Sequence, residues 1–413
     1  MLPNEISFWE RFERKPEANM TFKKQELLSK SFTLIDVGSF KIRAISGKLI
    51  WNNIEVIWFW EKRQEQESFI LWEMYDVQTI TENIEQVLEK CKKWKKETDY
   101  ISNIINQFFL FSHPMNHVRK NENEPITEDE LYSIIKNIEK TCLWLAVDEI
   151  SQKTWFSKAD IKLIMSSISQ ITLDGKKIVN PIGKAWKNIK IYITNIFVPL
   201  SEFDIISKMF YALWLEKVEF MPFEYAIFKL FDESQNLCVV NIGNSKTYVS
   251  VQSDEYVLWT SRIPIWMNDL IKKIKDKYGF TKIEILKNID SYFEEEKKEF
   301  LEIFEDCIAT ALKDIVKQSV CPEHFFLIGG GGNNDFMKDF FKNINLSKHG
   351  VKIAKKIELV DIPEVPIKHA DFLKNTSNIE LCAMMLAYQY FDKKRNSAIS
   401  RFLAKAVYEI EHE

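Results

Sequence analysis

Apolar residues alternate with polar ones through Phe32-Thr33-Leu34-Ile35-Asp36-Val37, Ile42-Arg43-Ala44-Ile45 and Ile54-Glu55-Val56-Ile57, a pattern that predicts three strands. Gly38-Ser39-Phe40 and Trp51-Asn52-Asn53 read as the turns between them. The period then changes, and Val77, Ile80, Ile84, Val87, Leu88 and Cys91 recur at helical spacing. The same order returns later in the chain. Cys238 to Ile242, Thr247 to Val251 and Tyr256 to Ile263 predict strands, and Met267 to Tyr278 predicts a helix. The two openings superpose: Ile35-Asp36-Val37-Gly38-Ser39-Phe40-Lys41 on Val240-Asn241-Ile242-Gly243-Asn244-Ser245-Lys246. A hairpin-plus-helix unit used twice predicts an α/β fold of two like lobes facing a cleft.

A different pattern separates the halves. Thr127 and Glu130 predict a capping box at the head of a helix whose buried face is Leu131, Ile134, Ile135 and Ile138. Strands over 161–173 and 189–198, joined through Asp174-Gly175, make this an α+β insertion over 103–195. His113 and His117, with Pro114 between them, read as a loop and not as metal ligands. A helix with Phe203, Ile206, Met209, Phe210 and Leu213 and another after Pro222 return the chain to the first lobe, which takes 31–102 and 196–235. The second lobe, 236–391, closes with a long helix through Phe300, Phe304, Ile308 and Leu312, and a strand, Phe325 to Ile328, that runs into Gly329-Gly330-Gly331-Gly332. Residues 1–30 read as a flexible tail and 392–413 as an amphipathic helix.

Composition narrows the classes. With 56 Lys plus Arg against 60 Asp plus Glu, the chain lacks the basic excess of a nucleic-acid binder. Six scattered cysteines without a CxxC pair suit reduced thiols in the cytoplasm.

The turns carry the candidate chemistry. A glycine turn brings backbone N–H groups against a phosphate, and two facing turns would clamp a polyphosphate. Asp36, beside the first turn, is placed to hold Mg²⁺ through water. Gly329 to Gly332, between a strand and a helix, would let a base or ribose lie on the backbone.

On these residues the chain resembles the actin-like ATPases, and among them the FtsA-type cell-division proteins. Leu34-Ile35-Asp36-Val37-Gly38-Ser39 is similar to the first phosphate motif, and Asn241-Ile242-Gly243-Asn244-Ser245-Lys246 stands where the second belongs. Leu327-Ile328-Gly329-Gly330-Gly331 is similar to the adenosine motif, and Glu284-Ile285-Leu286-Lys287 to the E-x-x-K helix beside the nucleoside. Ile126-Thr127-Glu128-Asp129-Glu130 and Leu173-Asp174-Gly175 with Asn180-Pro181-Ile182-Gly183 resemble the inserted 1C (SHS2) subdomain of FtsA. The resemblance implies a duplicated ribonuclease H-like fold that binds ATP and Mg²⁺. Asp36, Gly38, Ser39 and Lys41 would act from one half, and Asn241, Gly243, Asn244 and Ser245 from the other. Glu284, Lys287 and Gly329, Gly330, Gly331 and Gly332 would hold the nucleoside. It further implies self-association into filaments, capture of the FtsZ C-terminal tail, and attachment to the membrane surface through the C-terminal helix at the division site.

Two departures stand out. Asn241 replaces the family's aspartate, which implies weak or absent hydrolysis. The 2B region, about 263–305, is short, and in FtsA it receives the FtsZ tail. That shortening is shared by PilM, the actin-like scaffold of type IV pilus assembly, whose partner is the cytoplasmic tail of an inner-membrane pilus protein. A sugar-kinase-type enzyme finds no candidate base here.

The chain has only 11 glycines but 12 tryptophans. Trp51, Trp144, Trp186, Trp214 and Trp266 stand where turns or helix ends call for glycine, and Trp58, Trp60 and Trp72 are softer cases. A gene in which UGA specifies glycine, translated as if UGA meant tryptophan, would give this pattern.

Overall fold

The computed structural model describes residues 30–50, 53–65, 68–70, 73–91, 98–103, 107–231, 235–253, 256–316, 320–353, 356–363, 367–368, 378–395 and 397–412. The 1–29 stretch of the tail and Trp51, Trp72 and Trp94 lie outside them.

The first lobe begins with β1 (Lys30–Val37), β2 (Lys41–Ile50), β3 (Asn53–Arg63), α1 (Val77–Cys91) and β4 (Asp99–Asn103). The insert follows as β5 (Phe109–Val118), α2 (Glu128–Lys153), β6 (Ile161–Leu173) and β7 (Asn188–Pro199). The chain then returns through α3 (Leu200–Ala212), β8 (Val218–Met221) and the short α4 (Phe223–Ala226). The second lobe holds β9 (Leu237–Ile242), β10 (Thr247–Ser253), β11 (Tyr256–Ile263), α5 (Met267–Tyr278), α6 (Lys282–Asn288), α7 (Glu294–Val316) and β12 (His324–Ile328). It ends with α8 (Gly329–Gly332) and α9 (Asp335–Asn343). Two helices, α10 (Ile379–Arg395) and α11 (Ala398–His412), end the described chain.

The duplication read from the sequence is present in the sheets. In the first lobe the order is β8-β4-β1-β2-β3, with β8, β4 and β1 parallel and β1-β2-β3 antiparallel. The second lobe repeats it as a short strand at Glu358–Leu359, then β12-β9-β10-β11, with the same change of sense after β9. Even the turns match: the Gly38 N–H donates to the Lys41 carbonyl at 3.0 Å, and the Gly243 N–H to the Lys246 carbonyl at 2.8 Å. Apolar side chains are buried on both faces of β1 and β9, as strands covered from two sides require.

The insert is not a separate layer. Its strands β5, β7 and β6 continue the second lobe's sheet through the pairing of Trp259 on β11 with Phe111 on β5. Those two rings meet edge to face, 4.5 Å between centroids. The loop expected around His113 and His117 is instead strand β5. Pro114 pairs opposite Tyr192 of β7, beyond the single contact with β11, so its missing N–H faces no further strand.

Helix α2 starts at the expected N-cap, where the Glu130 N–H donates to the Thr127 hydroxyl at 3.2 Å. The Glu130 carboxylate is held by Arg119, which takes both its oxygens at 2.7 Å each, and by the Thr127 backbone. Leu403, Ala404, Ala406 and Val407, the apolar face of α11, are buried, three of them in the same core as α2 and the sheet of the insert. Glu409 pairs with Lys136 at 2.7 Å, and Glu411 lies 3.9 Å from Lys162. The face expected to meet a membrane surface is therefore turned into the protein.

The tryptophan positions divide. Trp214 has φ +61°, the left-handed region. It is the C′ residue of α3: its N–H donates to the Tyr211 carbonyl, and the Leu215 N–H donates to that of Phe210. These are the two bonds of a Schellman end, where glycine is favoured. The indole is 88% exposed and recovers little by burial. Trp266 is the N-cap of α5 with φ −151°, a position that favours glycine over tryptophan but is not left-handed. Trp144 lies inside α2, which runs on to Lys153, and Trp186 packs on the core of the insert; neither has a positive φ. Trp58 and Trp60 are extended residues of β3. The geometry thus supports a glycine at 214, gives partial support at 266, and gives none at 144 and 186. Trp214→Gly is expected to stabilise the fold by about 1 kcal/mol, since a left-handed side-chain-bearing residue costs about 1–2 kcal/mol. Thermal unfolding of the two proteins checks it, and an unchanged or lower midpoint would contradict the strain.

Candidate functional site

The hairpin register decides what surrounds Asp36. In β1 and β2 it stands directly opposite Arg43, so both side chains leave the sheet on one face. The guanidinium binds Asp36 Oδ2 through Nε at 2.8 Å and also through Nη2. Arg43 Nη2 further donates to Glu380 at the start of α10. Asp36 Oδ1 accepts from Asn103 Nδ2 at 2.9 Å, and Asn103 Oδ1 accepts from the Phe223 N–H at 3.0 Å. Asp36 and Arg43 are each 4% exposed. Burial by itself would raise the Asp36 pKa, but the guanidinium, the Asn103 amide and Lys246 together hold it below the usual carboxylate range. Burial raises that of Glu380, with Arg43 opposing.

The second lobe repeats the geometry with different chemistry. Asn241 stands opposite Tyr248, in the registers that Asp36 and Arg43 occupy in the first. The Asn241 amide donates to Glu224 Oε1 at 3.3 Å. Glu224 is buried, its Oε2 lacks a hydrogen-bond partner, and burial raises its pKa even though Lys246 lowers it.

The two turns touch. The Ser245 hydroxyl donates to the Ser39 hydroxyl at 2.6 Å, closing the lobes on each other. Lys282, the first residue of α6, donates to Asn244 Oδ1 at 2.6 Å and lies 5.0 Å from the centre of the Phe40 ring. Partial burial lowers its pKa. One cation thus reaches both turns.

The glycine run joins the same place. Gly329 has φ +80°, and a Cβ there would lie 2.5 Å from the Ile242 carbonyl and 2.7 Å from Asn241 Oδ1. A Cβ at Gly331 would meet Ile242 Cγ2 at 2.5 Å, whereas one at Gly332 would lie 3.1 Å from the Leu327 carbonyl carbon. These glycines permit close approach of α8 to the end of β9. Gly330 alone has open space around it.

Asp36, Gly38, Ser39, Asn241, Gly243, Asn244, Ser245 and the run 329–332 therefore lie together where the two turns and the start of α8 meet, the candidate cleft. Three expected residues do not enter it. Lys41 pairs with Glu61 at 2.8 Å. Glu284 caps its own helix, accepting from the Thr281 N–H and hydroxyl at 2.8 Å each. Lys287 lies on the exposed side of α6. Arg43, Asn103, Glu224 and Lys282 were missed. For Arg43 a signal existed: in a hairpin that turns at Gly38-Ser39-Phe40, Asp36 must face Arg43. The other three come from distant parts of the chain, and nothing local announces them.

These donors suit an anion better than a hydrated metal ion. Cationic groups and a glycine-lined wall face the cleft, whereas the Asp36 carboxylate is committed to a guanidinium and an amide. A divalent ion about 5 Å from that guanidinium would meet a repulsion of several kcal/mol at an effective dielectric of about 20. Among the described residues no group of three or more His, Cys, Asp or Glu side chains is arranged to hold a metal.

No family model and no curated relative matches the sequence. Solved structures do. A PilM-PilN type IV pilus biogenesis complex is similar over 87% of this chain and 98% of that one, at 10% identity and TM-score 0.59. The ethanolamine utilization protein EutJ from Carboxydothermus hydrogenoformans is similar over 85% and 89%, at 11% identity and TM-score 0.43. A Bacteroides thetaiotaomicron protein with actin-like ATPase fold is similar over 89% and 99%, at 9% identity and TM-score 0.37. With its duplicated lobes, and on the likeness to the PilM-containing structure, this chain has the actin-like ATPase fold.

Proposed function

We propose that this protein is an actin-like scaffold of the PilM type, which holds a nucleotide between its two turns and docks the cytoplasmic tail of an inner-membrane pilus protein. The observation that carries the reading is the second lobe beyond Ile263. Residues 264–316 contain α5, α6 and α7 and no strand, so the elaborated subdomain that receives a filament tail in FtsA has no counterpart there. The actin-like likeness over nearly the whole of the PilM chain is consistent with this reading. Slow or absent hydrolysis accords with Asn241, whose amide faces the buried Glu224.

A second reading, an FtsA-like filament-forming tether of FtsZ at the division site, draws on the insert. Asp174 and Gly175 form a hairpin turn with φ +44° and +82°. Gly183, φ +77°, donates its N–H to the Ile126 carbonyl at 2.9 Å. Both motifs that resemble the FtsA insert thus have structural work in this fold. No helix among the described residues is long and apolar enough to cross a membrane.

Titration with two labelled peptides separates them: the host's pilus inner-membrane protein tail and its FtsZ C-terminal tail. Saturable binding of the pilus tail alone is expected. Binding of the FtsZ tail alone would replace the first reading by the second, and binding of neither would remove both.

A further inference from the structure

We infer that the cleft binds phosphate without a divalent metal, Arg43 already holding the Asp36 carboxylate that a Mg²⁺ would need. The inference rests on the nucleotide reading above and concerns its ion requirement. Its basis is the way the carboxylates are used. Asp36 has one oxygen on the guanidinium and the other on Asn103, all within a buried cluster that Glu380 completes. The equivalent position in the second lobe carries no charge, being Asn241, and its amide is turned to Glu224. Glu224 is the remaining acid, and its burial favours the protonated form. A hydrated Mg²⁺ needs near-octahedral oxygen donors with negative charge close by. Here the charge of Asp36 is already neutralised, and a dication would face the neutralising group.

The cations that a phosphate chain needs are present on the protein. Lys282 lies between the two turns, bonded to Asn244 and over Phe40. Lys246, on the second turn, lies near enough to Asp36 and Glu224 to lower the pKa of both. A bound polyphosphate would exchange the Ser39–Ser245 contact for its own oxygens and meet Lys282 and Lys246 directly. The ligand class is therefore a metal-free nucleoside polyphosphate, or inorganic triphosphate if the glycine wall adds nothing.

The test is calorimetric titration of the full chain with ATP and with inorganic triphosphate, each in excess Mg²⁺ and in excess EDTA. The ATP affinity is expected to agree within about twofold between the two buffers, or to weaken slightly with Mg²⁺. Tightening of about tenfold or more by Mg²⁺ would overturn the inference and leave the nucleotide reading standing. Binding of neither ligand in either buffer would overturn both. Triphosphate binding equal to that of ATP would keep the metal-free site and remove the nucleoside from it. In Arg43→Gln the unmasked Asp36 is expected to make ATP binding respond to Mg²⁺; a folded variant as indifferent to Mg²⁺ as the parent would contradict the role of Arg43. If that variant does not fold, the comparison on the unaltered chain still decides.

Discussion

Arg43→Met is expected to destabilise the protein by about 3–5 kcal/mol, among the largest losses available to a single substitution here. The reason is not the attraction lost but what remains. Methionine fills much of the space, yet Asp36 at 4% exposure and the carboxylate of Glu380 would share one site with no cation between them. One of the two must then take up a proton, at a cost that rises with pH. The double variant Asp36→Asn/Arg43→Met leaves a neutral amide in place of one acid and is expected to recover about half of the loss. Denaturant unfolding of the three proteins near neutral pH checks both statements. A loss below about 1 kcal/mol in the single variant would mean that the cluster is solvated and that Arg43 is not its keystone.

The second large effect lies in the insert and has the opposite sign. Glu139 of α2 is fully buried, with its oxygens accepting from Ser166 Oγ at 2.9 Å and, at the long distance of 3.5 Å, from Asn195 Nδ2. Among the described residues no cation stands beside it, and burial pushes its pKa up from 4.5 to about 7, the two hydrogen bonds opposing. A folded-state pKa raised above the unfolded one means that the folded protein binds the proton more tightly. The stabilisation is complete below about pH 4.5 and is lost as pH rises through about 7. Glu139→Gln removes the charge and is expected to raise stability near pH 8 by on the order of 3 kcal/mol, with little change near pH 4.5. Gln also brings an N–H₂ group towards Asn195 Oδ1, which lacks a partner. Unfolding curves of both proteins across that range check it. Parallel pH profiles would show that Glu139 is not the group that titrates.

How much of this was legible beforehand depends on distance along the chain. The paired hairpins at 32–57 and 238–263 could be read from alternation and two glycine turns, because register and turn chemistry are local. Strand β5 was not, since Pro114 signals a break and only the pairing with β7 shows that it lies where an N–H is not needed. The periodicity of 399–410 announced an amphipathic helix but not its destination; apolar faces look alike to a membrane and to α2. Asp36 was singled out by its place beside the glycine turn, but its guanidinium partner was not. A carboxylate beside a glycine turn invites a metal, and whether a metal or a guanidinium answers depends on a residue across the hairpin and another at Glu380. The glycine run was read as a platform for a base; its close packing on β9, which requires Gly329 and Gly331, was not. Glu284 and Lys287 matched a motif whose helix start uses the glutamate as its own cap.

The central claim is that the two like turns form one phosphate site. Hydrogen exchange of the full chain with and without ATP tests it most directly, because the ligand would bond to backbone N–H groups of both. Protection is expected to rise together in the peptides covering Gly38 to Lys41 and Gly243 to Lys246, with a smaller rise at Gly329 to Gly332. Protection of only one turn, or of neither while ATP binds elsewhere, would contradict a shared cleft.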